Sequence, residues 1–420
     1  MRSSEINALG KLAGQAFADP ARIAKGVHGA LAQRTFGALG VLGAPTRVLH
    51  DGISGLVYRS VAAGLGAPLR GGAAALSRGV PPDAPRLADS PAGSIVLSAL
   101  NGMFGDRLAR EHGDLALDLT VRRHDRDVAT DRAGLATAFP DATSKLVVFV
   151  HGLCGDEHGW HLPPLARHAG PRRCYGSRLR AELGYTPLYV RYNTGLHVSE
   201  NGKRLARVLD QVVREWPVEV DELALVGHSM GGLVSRSACH YARAADQPWA
   251  DRVRHVFCLG TPHMGAPLEK AANVTGWALA RLPETRPFAA IVNRRSAGIK
   301  DLRFGNCVEE DWCDCDPDEF LRDRCGEVPF LPTATYYFIG ATLTKAPNSS
   351  LARVVGDLLV LYPSASGQGR KRRIPFEVDN GVHLGGASHL QLLNHPAVYD
   401  QIETWLRRAG RSRDDLLAYA

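Results

Sequence analysis

Leu223-Ala224-Leu225-Val226-Gly227-His228-Ser229-Met230-Gly231-Gly232 carries four apolar residues straight into a glycine-flanked serine, and a helix-competent stretch, Leu233 to Ala245, follows at once. That order describes a buried strand, a tight turn and a helix. Glycine at 227 and 231 lets the flanks of the turn pack more closely than side chains would allow, and the serine takes up an unusual backbone conformation. Ser229 then projects above the sheet, with a helix N-terminus beneath it that favours negative charge. The pentapeptide alone arises by chance. The strand before it and the helix after it favour a reactive serine over a serine that merely shapes a turn.

Further apolar runs surround this element. Leu146-Val147-Val148-Phe149-Val150 is continuous, as in a buried parallel strand. Pro187 to Tyr192 is a second run, followed by a helix with Leu205, Val208, Leu209, Val212, Val213 and Trp216 on one face and Pro217 as its stop. Val253 to Gly260, Thr335 to Gly340 and Ile374 to Val378 are read as strands, and Tyr399 to Arg408 as a closing helix. Leu115, Leu117, Leu119 and Val121 alternate with polar or small residues, the pattern of a half-buried strand. Strands alternating with helices predict an α/β fold, a mostly parallel sheet covered on both faces. Roughly 75 residues separate Leu259 from Thr335, too many for a simple crossover. A cap or lid over about 266–333 is therefore expected within a domain spanning 111–420.

Residues 1–110 read as a helical N-terminal extension rich in Ala and Gly. From Val48, the residues Leu49, Ile53, Leu56, Val57, Val61 and Leu65 recur at helical steps. Ser90-Pro91 is a helix start, and Val96, Leu100, Met103, Phe104 and Leu108 form the next stripe. Gly79 to Pro85 is a stiff linker between them. The extension holds twelve Lys+Arg against six Asp+Glu, so it accounts for +6 of the net +7. A basic segment suits an anionic surface, but its four aromatics are too few for stacking on bases. Nucleic acid is not expected as a partner; peripheral contact with a membrane or lipid inclusion through 1–110 is the alternative to a solvated helical face. No run of 18 apolar residues occurs, and the first residues lack the apolar core of a secretory signal, so a cytoplasmic location is expected.

A serine hydroxyl needs a base, and the base an orienting acid. On this architecture the chain order is nucleophile, acid, histidine. His389, on the glycine-rich loop Gly385-Gly386-Ala387-Ser388-His389, is the favoured base, with His383 and His395 as rivals. Asp357, in Gly356-Asp357-Leu358-Leu359-Val360, is the favoured acid, with Asp379 as the alternative. The oxyanion needs preorganised donors: the Met230 amide, and a second from Val150-His151-Gly152-Leu153-Cys154-Gly155, either Leu153 or Cys154. His151 is read as a shaper of that loop. No cofactor and no metal are required. The acidic run Glu309 to Asp318 fails the EF-hand pattern and reads as a solvated loop, and Arg370 to Arg373 as an exposed turn. Cys307, Cys313, Cys315 and Cys325 match no zinc spacing; free thiols are favoured over two disulfides or a metal site.

The stretches Val150 to Gly155, Arg191-Tyr192-Asn193-Thr194-Gly195, Gly227 to Gly232, Leu259-Gly260-Thr261-Pro262-His263-Met264-Gly265 and Ser388-His389-Leu390 resemble those of bacterial α/β-hydrolase esterases and lipases, especially the group similar to GPI inositol-deacylases. The resemblance spans about 115–410. It implies that Ser229 is the nucleophile, that the Gly-Thr-Pro-His stretch is the loop beside it, and that the reaction is hydrolysis of a carboxylic ester, of lipid or small-molecule type. Such families often show Gly-Asp-Gly around the acid, whereas Leu358 follows Asp357 here. Acyl transfer on the same triad and a catalytically silent scaffold are the competing readings.

Overall fold

The computed structural model describes residues 1–38, 44–162, 173–346, 354–369 and 371–418. Eight strands form one sheet: β1 Thr120–Arg123, β2 Arg126–Val128, β3 Lys145–Val150, β4 Thr186–Arg191, β5 Glu222–His228, β6 Val253–Leu259, β7 Thr335–Thr342 and β8 Gly381–Gly385. Their order is β2-β1-β4-β3-β5-β6-β7-β8, antiparallel at the β2-β1-β4 edge and parallel throughout the rest. The continuous apolar runs occupy the centre because both faces of the sheet are covered. Side chains alternate between two cores. Leu146, Val148, Val150, Leu223 and Leu225 point to one, Val147, Phe149, Ala224 and Val226 to the other.

The helices among the described residues include α1 Ser3–Ala38, α2 Ala44–Ser77, α3 Pro91–Glu111, α4 Arg132–Ala138, α5 Tyr175–Leu183, α6 Val198–Glu215 and α7 Met230–Ala244. The amphipathic α6 buries Leu205, Leu209 and Val212, and its neighbour α7 is buried almost throughout. α8 Pro267–Leu279, α9 Arg286–Val292 and α10 Ala297–Asp301 occupy the long β6–β7 connection, and a closing helix spans Pro396–Ala418.

Four local expectations change. Ile374–Val378 is not a strand: Pro375 has no N–H for a ladder, and Ile374 and Phe376 fold inward, Phe376 onto Phe338. The last strand is β8, whose Gly381 leaves room for the Phe338 ring beside it. The 115–121 strand begins only at Thr120, because the Asn101 side chain takes the Leu115 carbonyl (2.8 Å) and the Leu117 amide (2.9 Å) that a neighbouring strand would have used.

The other two lie in the N-terminal helices. Ser90 caps α3 as expected, accepting from the Gly93 amide. The buried face of α3, however, is Ser94, Leu97, Ser98, Asn101, Gly102, Gly105 and Leu108, while Val96 and Met103 are exposed. A Cβ on Gly102 would lie 2.2 Å from the Cys154 sulfur, so α3 packs backbone-close against the loop after β3. The stripe on α2 is helical but faces outward: Val48, Ile53, Leu56, Val57, Val61 and Leu65 are all exposed. The side chain of Leu49 lies outside the described residues.

Two surface expectations also differ. Asp311 is buried and accepts from the amides of Cys307, Val308 and Gly326, so part of the acidic run fastens the β6–β7 connection. Arg372 donates to the carbonyls of His263 (2.8 Å) and Phe304 (2.7 Å) rather than to solvent; Arg370 lies outside the described residues. No disulfide joins any of the eight cysteines; Cys307 is buried, Cys313 exposed.

Candidate active site

β5 delivers its last residues into the turn expected from the sequence. Ser229 sits at φ 55° and ψ −124°, a strained backbone for a residue with a side chain. Its amide is held by the Leu259 carbonyl at 2.8 Å. A Cβ on Gly231 would lie 2.1 Å from the Val150 carbonyl oxygen, so the end of β3 presses directly on the turn. Ser229 caps α7 without using its hydroxyl, which stays available for chemistry.

The loops after β7 and β8 bring Asp357 and His389 together. His389 Nδ1 donates to Asp357 Oδ2 at 2.7 Å. The other carboxylate oxygen, Oδ1, accepts from the amides of Leu359 (3.0 Å) and Val360 (2.8 Å). A backbone bond from the His389 amide to the Asp357 carbonyl (3.0 Å) ties the two loops. Leu358, where a glycine is usual in the resembling families, occurs at φ 92° and supplies the same left-handed turn. With Nδ1–H committed to the carboxylate, His389 Nε2 carries the lone pair. That nitrogen is buried and makes no hydrogen bond among the described residues, and His389 lines the same cavity as Ser229. No hydrogen bond joins it to the serine in the structure; such bonds often tighten only when substrate is present.

The rivals are elsewhere. His383, on β8, bonds Thr342 through Nε2 (2.7 Å) and packs on Tyr362. His395 meets the buried Tyr175 hydroxyl through its backbone. Asp379 is exposed and offers its carbonyl to Trp405.

The two oxyanion candidates after β3 differ in what they do. The Cys154 amide already donates to Thr194 Oγ1 at 3.1 Å, whereas the amide of Leu153 has no partner among the described residues. Leu153 and Met230 are thus the unengaged amides beside the serine. Cys154 itself sits at φ 59°, and Gly152, two residues before it, lies so close to the serine turn that a Cβ there would be 2.9 Å from Ser229 Cβ. His151 shapes the loop: its Nδ1 donates to the Gly152 carbonyl (2.9 Å), its ring stacks on Tyr192, and burial pushes its pKa down.

Sequence reasoning passed over two supports. His228 donates through Nε2 to the His389 carbonyl at 3.0 Å. Burial, together with the neighbouring His389 ring, holds its pKa well below the ordinary histidine range, so it stays neutral and pins the His389 loop to the serine turn. Tyr175, fully buried at the start of α5, bonds the Leu392 carbonyl (2.9 Å) behind the same loop. The only signal for either was position, His228 next to the serine.

A cavity of about 380 Å³ opens over Ser229. Its walls are chiefly aliphatic: Leu153, Ile299, Leu302, Val360 and Leu393 among them, with Leu268 and Leu390 exposed at the surface. The β6–β7 connection supplies one wall, and Met103 of α3 another part. Glu269 also borders the cavity, but Arg295 (2.8 and 3.0 Å) and Arg303 (3.1 Å) neutralise it. Behind the oxyanion loop lies a polar seam. Asp156 accepts from Ser94 of α3 at 2.8 Å and pairs with His158 at 3.0 Å. Burial alone would raise the Asp156 carboxyl, but the bonds from His158 and Ser94 outweigh it and bring its pKa to about 2. Asp156 in turn lifts His158 to about 9. Asp125, Glu157 and His158 lie close enough to share a cation, but His158 is already paired with Asp125 (2.8 Å) and Asp156.

Residues 140–304 match a family model described as "Putative serine esterase (DUF676)". No curated protein matches the chain. Among solved structures it is similar to Bacillus licheniformis lipase BlEst2 in mature form (20% identity, 63% of this chain and 93% of that one, TM-score 0.42). It is also similar to Staphylococcus hyicus lipase (14%, 65% and 97%, TM-score 0.37) and to esterase B from Lactobacillus rhamnosis (15%, 66% and 81%, TM-score 0.36). The sheet is eight-stranded and mostly parallel, and over residues 140–304, which include the serine turn, the chain is similar to a family described as serine esterases.

Proposed function

We propose that the protein hydrolyses carboxylic esters of apolar acyl chains through an acyl-enzyme on Ser229. The observation that carries the reading is the aliphatic cavity over the serine, which His389 also lines. Ser229 Oγ attacks the ester carbonyl while its proton passes to His389 Nε2. Asp357 keeps the imidazole in the tautomer that accepts there and stabilises the imidazolium. The oxygen that gains charge lies against the Met230 and Leu153 amides, at the N-terminus of α7. His389 then gives the proton to the departing alkoxide, and the alcohol leaves. Water, activated by the same base, attacks the acyl-serine, and Ser229 takes back its proton.

The aliphatic walls argue for acyl groups longer than acetyl, because each methylene taken from water contributes about 0.8 kcal/mol. A p-nitrophenyl ester series from acetate to decanoate tests this: kcat/KM is expected to climb steeply through about octanoate. A preference for acetate would overturn the lipid-like substrate, and no hydrolysis of any ester would overturn the reaction itself.

A further inference from the structure

Among the described residues no element covers the outer face of α2, and its chemistry identifies what it fits. α1 and α2 run antiparallel and meet through small residues. A Cβ on Gly10 would lie 2.2 Å from that of Ala73, and one on Gly66 would lie 2.6 Å from the Gly14 carbonyl oxygen. At this end the backbones leave no room for large side chains between them, and nearer residues 28–58 the rings of His28, Phe36, His50 and Tyr58 fill the contact, so the aliphatic residues of α2 are turned to the opposite side. Ile53, Leu56, Val57, Val61 and Leu65 stand between 44 and 62% exposed, and Val48 and Leu76 more so.

Charge completes the picture. Residues 52–82 contain no carboxylate and three arginines, Arg59, Arg70 and Arg78. Lys11 and Lys25 on α1 are exposed, and neither makes an ion pair among the described residues. An aliphatic helix face with unopposed cations beside it matches a surface that is apolar below and anionic above. It suits a protein partner less well: the outward stripe has no Trp, Tyr, Phe or Met, the side chains that anchor such interfaces. No helix among the described residues is long and apolar enough to cross a membrane.

The face is also fastened to the cap. Arg294 pairs with Asp19 of α1, and Arg34 with Glu284 at 2.8 Å, while Gly26 approaches Pro287 of α9. The same connection leaves Trp277, Leu282, Phe288 and Ile291 partly or largely exposed and supplies Leu268 at the cavity. We propose that the outer face of α2 docks the protein onto the surface of an anionic phospholipid bilayer, the α1–α2 pair lying in the interface without crossing it. This goes beyond the hydrolytic reading and does not depend on it.

The test uses the full chain. Co-sedimentation with vesicles of phosphatidylcholine, and with vesicles of an equal mixture of phosphatidylcholine and phosphatidylglycerol, is expected to show binding chiefly to the mixture. The binding should weaken as salt is raised. Leu56→Glu/Val61→Glu should lower the partition coefficient about tenfold or more, and Lys25→Gln/Arg59→Gln about fivefold per charge. These residues are exposed and far from the reacting groups, so hydrolysis of p-nitrophenyl butyrate should be unchanged, and circular dichroism should show the same helix content. Failure of the wild-type protein to bind the anionic vesicles would overturn the proposal. So would equal, salt-independent binding to both kinds. A dimer that Leu56→Glu/Val61→Glu converts to monomer, seen by light scattering without vesicle binding, would make the face a contact between copies instead.

Discussion

The serine turn and the α1–α2 pair both depend on glycine for close backbone approach, and they do opposite things with it. At the turn, Gly231 lets β3, β5 and α7 converge, and every apolar side chain of the surrounding strands is buried. In the α1–α2 pair, Gly10, Gly14 and Gly66 let two helices meet, and the aliphatic side chains are displaced to the outside. An apolar stripe therefore reports burial only when the packing face is itself built of large residues. Where Gly, Ala and a few rings such as His28, His50 and Tyr58 form the contact, the aliphatic stripe marks the face that remains open.

The contrast can be broken first at the turn. Gly231→Ala places a methyl 2.1 Å from one backbone carbonyl and 2.6 Å from another, neither of which can move alone. The expected cost is above about 4 kcal/mol, in the range of the most severe single substitutions; denaturant unfolding, or the failure to obtain folded protein, would show it. A variant as stable as the wild type would mean that the turn is looser than described.

Next in size is the base loop. Asp357→Asn should leave the fold standing, since Leu359 and Val360 can still donate to its oxygen, yet lower kcat about 10⁴-fold by favouring the wrong imidazole tautomer. Asp379→Asn and His383→Ala, measured alongside, should stay near wild type. If either proves the more damaging, the acid or base has been misassigned.

The polar seam between α3 and the loop after β3 titrates. His158 has its folded pKa raised to about 9, so its contribution is complete below about 6.5 and is lost as pH rises through 9. Asp156 is depressed to about 2, so its contribution is present above about 4 and fades as pH falls toward 2. Stability should therefore be flat between these limits, and His158→Gln should remove about 1–2 kcal/mol at pH 6 and much less at pH 10. Urea midpoints across that range would check it; an equal loss at both pH values would mean packing, not charge.

The smallest effect belongs to the outer side of α2. Gly64 has nothing within 4 Å of its Cβ position. Gly64→Ala should therefore stabilise by about 0.5–1 kcal/mol through helix propensity alone. A destabilisation in thermal unfolding would show that this side is covered after all, and would weaken the comparison.

The sequence was most legible where a residue's surroundings are local. The central strands are continuous apolar runs, and the serine turn is written in adjacent residues. Ser229 follows the last residue of β5, and Asp357 and His389 lie in the loops after β7 and β8, in the chain order from which they were proposed. It was least legible where distant segments set the environment. Nothing near Asn101 says that its amide will replace a strand, and nothing near Asp311 says that three amides from two segments will close on it. The choice between Leu153 and Cys154 turned on Thr194, forty residues away. β8 was missed because Gly381 and His383 lack a strand's apolar signature, and Ile374–Val378 has it but carries Pro375, which has no N–H for a ladder.

The central claim is that Ser229 is the nucleophile of a serine ester hydrolase. Incubation with a fluorophosphonate, followed by intact mass and peptide mapping, tests it most directly. The account predicts one adduct per chain, on the peptide containing Ser229, and none in a folded Ser229→Ala variant. An adduct that persists in that variant, or one mapped to another residue, would contradict it.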